Sequence, residues 1–194
     1  MNKEIEIKVG LKDYTAAKKS ISKIAKFVKK KHQIDEYWTP KHKNIYVLKS
    51  PEYWRIRKEG KSEGKEKVRY EYHKSKINKN GKGKYTEEYE TVVDDGKILN
   101  KIMGFIDAKL VVIVDKKREY YENKDFEFCL DRVEGLGDFL EIEAKRVLGT
   151  YEKTLDKCWE MLETLGVEHT GKERNYFYQM YNLDKTTKRL KKNN

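Results

Sequence analysis

The chain repeatedly places like charges two residues apart. Glu4 and Glu6 precede Lys8, Arg55 and Arg57 flank Ile56, and Lys74 and Lys76 flank Ser75. Glu88 and Glu90 flank Tyr89, Lys116 and Arg118 flank Lys117, and Glu141 and Glu143 flank Ile142. Residues two apart on a strand share a face, so each pair turns two charges of one sign to the same side. A solvated sheet face accounts for any one such pair. It accounts less well for the repetition, since Ser, Thr or Gln would face water equally well and adjacent like charges repel. Glu4, Glu6, Glu141 and Glu143 are hard oxygen ligands suited to Mg²⁺ or Mn²⁺. Lys8, Arg55, Arg57, Lys74, Lys116 and Arg118 donate to phosphate oxygens, the arginines bidentately. Acid and base in one cavity are what a metal-bound polyphosphate requires.

The elements that must hold these residues can be read from periodicity. Glu4–Val9 alternates charged and β-branched residues, a strand with one apolar face. Asp13 caps an expected helix with apolar positions Tyr14, Ala17, Ile21, Ile24, Ala25, Phe27 and Val28, closed by Lys29, Lys30 and Lys31. Strands are expected at 33–39, 44–48, 53–58, 67–76, 85–93, 110–121, 126–133 and 138–147, with a turn over 78–83. Helices are expected near 97–104, over 151–165 up to Gly166, and over 173–181. This pattern predicts an α+β fold: an eight-stranded antiparallel β-barrel, or tunnel, with a charged interior and amphipathic helices outside.

With 194 residues the chain suits a single domain, taken as 1–182, followed by a flexible Lys-rich tail at 183–194. It contains 44 Lys+Arg against 33 Asp+Glu, a net charge of +11. Such a field attracts polyanions, but only 8 of the basic residues are Arg, and the Lys are spread along the chain. No apolar run is long enough to span a bilayer, and the first residues lack a signal-peptide core. The expected location is therefore cytoplasmic, with no membrane partner. Cys129 and Cys158 lack metal-ligand spacing and read as reduced core residues.

The strand Glu4-x-Glu6-x-Lys8 resembles the ExExK motif of the CYTH superfamily, the triphosphate tunnel metalloenzymes, to which class IV adenylyl cyclases and thiamine triphosphatases belong. The resemblance continues through His32-x-x-Asp35-x-Tyr37, Arg55-x-Arg57, Lys74, Glu88-x-Glu90 and Lys116-x-Arg118-x-x-Tyr121. It extends over the block from Leu130-Asp131 to Glu141-Ile142-Glu143. It implies an eight-stranded tunnel holding a triphosphate and a divalent metal. Glu4, Glu6, Glu141 and Glu143 would hold the metal, and Lys8, Arg55, Arg57, Lys74, Lys116 and Arg118 the triphosphate. The implied catalytic set is Glu6, Lys8, Glu88, Glu90 and Asp131. The chain departs from the family pattern after Lys74, where Ser75-Lys76-Ile77 replaces Gly-Pro, which leaves Lys74 and Lys76 as alternatives.

The resemblance leans towards the cyclase-like branch through Arg174-Asn175-Tyr176 and the apolar block before Asp131. The leading expectation is conversion of ATP to cyclic AMP and pyrophosphate. The alternatives are hydrolysis of tripolyphosphate, thiamine triphosphate or an RNA 5′-triphosphate, and capture of a nucleotide or polyphosphate without turnover. The expected partner is thus a triphosphate-bearing small molecule, with an RNA 5′ end and a homodimer also admitted. His32 reads as a surface or hydrogen-bonding residue; Tyr37, Tyr53 and Trp54 read as packing groups in preference to a nucleobase stack. Gly135-x-Gly137 is no dinucleotide fingerprint, because a strand follows it.

Overall fold

The computed structural model describes residues 2–42, 52–60, 66–77, 83–172, 176 and 179–183. The expected strand at 44–48, residues 78–82 of the expected turn, Arg174-Asn175 and the tail from 184 lie outside them. Ten strands form one antiparallel sheet: β1 Asn2–Glu4, β2 Glu6–Leu11, β3 Lys26–Pro40, β4 Glu52–Gly60, β5 Lys67–Ile77, β6 Gly83–Val93, β7 Ala108–Glu122, β8 Phe126–Val133, β9 Gly137–Ala144 and β10 His169–Lys172. Their order is β1-β6-β5-β4-β3-β7-β8-β9-β2-β10. The helices are α1 Tyr14–Ile21, α2 Gly96–Phe105 and α3 Tyr151–Leu165, and residues 176 and 179–183 are also helical.

The first strand explains how an open ladder surrounds a cavity. β1 pairs with β6 at one edge of the sheet, and β2 pairs with β9 near the other. Only Ile5 separates them, and its carbonyl accepts a 2.9 Å bond from the Ala144 amide. A single stretch of chain therefore bridges the two edges, although no β6–β9 ladder closes the ring among the described residues. With β1 and β2 counted as one interrupted strand, eight main strands remain, and the short β10 is added outside β2. The α+β tunnel expected from the sequence is the fold observed.

The alternation decides which face is dry. Ile7, Val9, Phe128, Leu130, Leu140 and Ile142 point outward and are buried by Ala17 and Ile21 of α1 and by Cys158, Leu162 and Leu165 of α3. On the opposite wall Met103 of α2 packs with Trp38, Ile56 and Val68. The helices thus cover the apolar outer face, and the charged face is left to line the interior. α3 starts at Thr150, whose hydroxyl accepts from the Lys153 amide, and stops at Gly166 in the left-handed region, φ 61°. Gly135 and Gly137, with φ of 74° and 109°, make the β8–β9 turn, and a strand follows them as expected. Both cysteines are buried and unpaired. Among the described residues no helix is long and apolar enough to cross a membrane.

Most strands extend a residue or two beyond their expected spans and β10 is an unexpected addition, but the larger departures from the periodicity are these. α1 ends at Ile21, not Lys31, because Lys26–Lys31 pairs with Arg118–Glu122 of β7 and Phe27 meets Tyr121 edge-on at 5.4 Å. Ladder hydrogen bonds and that aromatic contact outweigh a helical apolar pattern that would leave one edge of β7 unpaired over 118–122, where β8 covers only the other. The first strand is interrupted at Ile5, where its partner changes, and β9 ends at Ala144.

Candidate active site

All nine strands from β1 to β9 send side chains into a cavity of about 180 Å³, far larger than the ~10–15 Å³ one water needs. Among the described residues six cations line it: Lys8, Arg55, Arg57, Arg69, Lys116 and Arg118. Seven glutamates do so as well: Glu4, Glu6, Glu88, Glu90, Glu127, Glu141 and Glu143. Antiparallel register sets opposite charges directly across from each other, Lys8 facing Glu141, Arg55 facing Glu71, Arg57 facing Asp35 and Arg118 facing Asp131.

These facing pairs hold the cations in place. Arg57 grips buried Asp35 bidentately, Nε to Oδ1 at 2.6 Å and one terminal nitrogen to Oδ2 at 2.8 Å, and Lys116 Nζ reaches Oδ2 at 3.0 Å. Arg55 Nε is ion-paired to Glu71, and Arg69 Nε donates to the same carboxylate at 3.1 Å. Arg118 donates to both oxygens of Asp131 at 2.6 Å and to Glu141 at 2.9 and 3.2 Å. Lys8 joins Glu141 at 2.8 Å. Burial raises the Glu141 carboxyl, but Arg118 and Lys8 outweigh it and hold the group well below its usual range. Burial lowers Lys116 to about 8, with Asp35 only partly opposing it and Arg57 and Arg118 adding to the fall. The tyrosine hydroxyl of Tyr176 donates to Asp131 at 2.7 Å, and its ring lies 4.3 Å from Lys8 Nζ and meets Phe139 edge-on. Tyr176 lines the cavity beside Tyr37, and both belong to a buried cluster with Val112, Val114 and Val133.

A second group of carboxylates, Glu4, Glu6 and Glu143, makes no ion pair among the described residues. Burial, and then repulsion from Glu6, Glu88 and Glu143, pushes Glu4 up to about 11. Burial and Glu141 push Glu6 up to about 7 against Lys8 and Arg118. Burial, Glu6 and Glu141 push Glu143 up to about 8. Carboxylates crowded together out of water either retain protons or require a cation among them. This all-oxygen donor set fits Mg²⁺ or Mn²⁺.

The structure gathers most of the expected site and redistributes parts of it. Glu4, Glu6, Lys8, Arg55, Arg57, Glu88, Lys116, Arg118, Glu141 and Glu143 converge on the cavity. Glu90 sits at its rim, 53% exposed and 3.6 Å from Arg69. Asp131 stands behind Arg118, fully occupied by that residue and Tyr176, and does not line the cavity. Lys74 requires correction: it is exposed and absent from the lining, and Lys76 shares its parity and pairs with Glu87 at 3.3 Å. The inward positions of β5 are Arg69, Glu71 and His73. Sequence reasoning gave no role to these three or to Glu127, and placed Asp35 in the matched motif without assigning it one. Their alternating parity was visible, but a mixed-sign run does not stand out as the like-signed pairs do. His32 bonds Asp115 at 2.7 Å near the surface, and Trp54 packs against the outer cluster.

A tunnel of antiparallel strands with facing acids and bases defines a class, and comparison with known proteins agrees with it. The CYTH domain family matches residues 2–177, and the chain belongs to that family. It is 31% identical over 182 residues to a Methanocaldococcus jannaschii protein named "Putative adenylate cyclase", covering 93% of this chain and 99% of that one. Two solved structures from Pyrococcus horikoshii OT3 share the fold. One has a TM-score of 0.77 at 28% identity, covering 94% of this chain and 99% of its own. The other has a TM-score of 0.74 at 26% identity, covering 91% and 98%.

Proposed function

We propose that the tunnel binds the triphosphate of ATP together with Mg²⁺ or Mn²⁺ and forms cyclic AMP and pyrophosphate. The observation that carries this reading is the separation of the lining into cations already matched by buried carboxylates and glutamates, Glu4, Glu6 and Glu143, that make no ion pair among the described residues. A polyanion alone would find its bases occupied and three unpaired carboxylates, Glu4, Glu6 and Glu143, crowding the same cavity. A triphosphate arriving with divalent cations satisfies both halves. A capture module without turnover would need only the basic half.

In this reading Arg55, Arg57, Lys116 and Arg118 bind non-bridging phosphate oxygens, and their fixed geometry stabilises charge as it develops on the leaving pyrophosphate. Asp35, Glu71 and Asp131 orient those cations and keep them from rotating away. Glu4, Glu6 and Glu143 would hold the divalent ion, with Glu141 turned towards Lys8 and Arg118. The bound ion would neutralise phosphate charge and polarise the phosphorus under attack. The ribose 3′-hydroxyl attacks the α-phosphorus, a lining carboxylate takes its proton, and pyrophosphate leaves. The name of the methanococcal relative supports this choice over hydrolysis.

The test is incubation of the pure protein with Mn²⁺ or Mg²⁺ and, separately, ATP, tripolyphosphate and thiamine triphosphate, with products resolved by chromatography. Cyclic AMP and pyrophosphate from ATP are expected. Orthophosphate without cyclic nucleotide would replace the cyclase with a hydrolase, and unchanged substrates in every sample would leave a binding protein.

A further inference from the structure

The arginines of the cavity wall are each pinned by more than one contact, but its two lysines are not. Among the described residues Lys8 Nζ has one carboxylate partner, Glu141 at 2.8 Å, and Lys116 Nζ has one, Asp35 at 3.0 Å. A lysine is a point charge on a flexible four-carbon stem, so a single ion pair lets it swing. Both ammonium groups converge on Tyr176, whose ring centroid lies 4.3 Å from Lys8 Nζ and 5.3 Å from Lys116 Nζ. The Tyr176 hydroxyl donates at 2.7 Å to Asp131 Oδ2, the oxygen that also accepts from an Arg118 terminal nitrogen at 2.6 Å. Burial, and then Asp131 and Glu141, hold that hydroxyl well above its usual range, so it stays a donor. Phe139 meets the ring edge-on with centroids 4.9 Å apart, and Met180, from the same C-terminal helical residues, packs against their cluster.

We propose that Tyr176 is a positioning residue: its ring steers Lys8 and Lys116, and its hydroxyl steers Arg118 through Asp131, onto the triphosphate. The proposal rests on the reading that the tunnel binds a triphosphate and adds what aligns its cations. The π cloud of an aromatic ring attracts an ammonium group, more strongly where water is excluded. It carries no full negative charge, so it orients the two lysines without neutralising them, whereas a carboxylate in its place would compete with the incoming phosphate. The hydroxyl acts one bond further back. Asp131 holds Arg118 with both oxygens, and a donor fixed by a clamped ring stops that carboxylate from turning and taking the guanidinium with it. If Tyr176 were only a core filler, any group of the same shape would serve and neither the π cloud nor the hydroxyl would matter.

The experiment replaces Tyr176 in the full chain with Phe, and then with Phe bearing one, two and three ring fluorines, which drain the π cloud while barely changing the ring's size. Calorimetry with tripolyphosphate and Mn²⁺ reads the affinity. It should fall step by step, roughly tenfold across the series; a flat series would overturn the role towards the lysines. Because the series shares one shape, a folding defect would touch all its members alike and leave the slope intact. Tyr176→Phe should lower kcat about tenfold on the triphosphate that the wild type turns over, with KM within about twofold, the pattern of alignment lost in the transition state without loss of ground-state binding. Wild-type kcat in that variant would overturn the role through Asp131. A wild-type chain that binds tripolyphosphate and shows the slope but makes no cyclic AMP would sink the proposed reaction and keep the alignment of the lysines. One that does not bind tripolyphosphate would sink both.

Discussion

Replacing Arg57 with Ala separates what holds the tunnel together from what it binds. Asp35 is fully buried, and the substitution removes two of its hydrogen bonds, at 2.6 and 2.8 Å. It leaves the Lys116 contact at 3.0 Å and an Arg55 nitrogen at 3.8 Å. Breaking one partner out of a buried ion pair costs about 3–5 kcal/mol, because the other charge is left uncompensated. With Lys116 still in place the loss should lie near the lower end, about 3 kcal/mol, a large share of the ~5–15 kcal/mol that stabilises a typical domain. Urea titration with linear extrapolation measures it. Combining Arg57→Ala with Asp35→Asn should cost less than the two single changes added, by about 1 kcal/mol or more. Sequence reasoning alone expects Arg57→Ala to weaken triphosphate binding more than it lowers stability; the Asp35 contact predicts substantial loss of both. A change below about 0.5 kcal/mol, or strict additivity with Asp35→Asn, would refute the claim that this pair is a buried strut.

Three further outcomes follow from the same geometry. Glu141→Gln loosens both Lys8 and Arg118, and turnover should fall roughly 10–100-fold, as for residues that orient a site, with a near-native circular dichroism spectrum; wild-type turnover would remove Glu141 from the site. Without divalent cations, stability should fall as pH rises from about 4.5 towards 8, since Glu6 and Glu143, raised to about 7 and about 8, bind protons in the folded state that the unfolded chain has released. That contribution is fully present below the unfolded carboxylate range and is lost through the folded values, so added Mn²⁺ should raise the melting temperature more at pH 8 than at pH 5; an equal rise at both would contradict the carboxylate assignment. Lys74→Ala should leave tripolyphosphate affinity within about twofold by calorimetry, because the residue is exposed and off the cavity wall; a tenfold loss would place it back at the site.

How much of this was legible beforehand differs by level. The alternation of Glu4-x-Glu6-x-Lys8, Arg55-x-Arg57 and Glu141-x-Glu143 requires only local backbone geometry, so the sequence by itself determined that these charges share strand faces opposite apolar ones. The apolar periodicity of α3 and its Gly166 stop were equally local, and the helix forms over the span that periodicity predicts. Tertiary structure decided everything that depends on which strand lies beside which. Lys26–Lys31 became strand because β7 offered a ladder, and the first strand split at Ile5 because its partners lie at opposite edges of the sheet. The division of labour among the charges belongs to the same level. That Asp35, Glu71 and Asp131 hold cations, that Glu4, Glu6 and Glu143 crowd together with no ion pair among the described residues, and that Arg69 and His73 enter where Lys74 does not, are consequences of register. Pairing energies between residues tens of positions apart depend on distance and burial, and a linear pattern encodes neither.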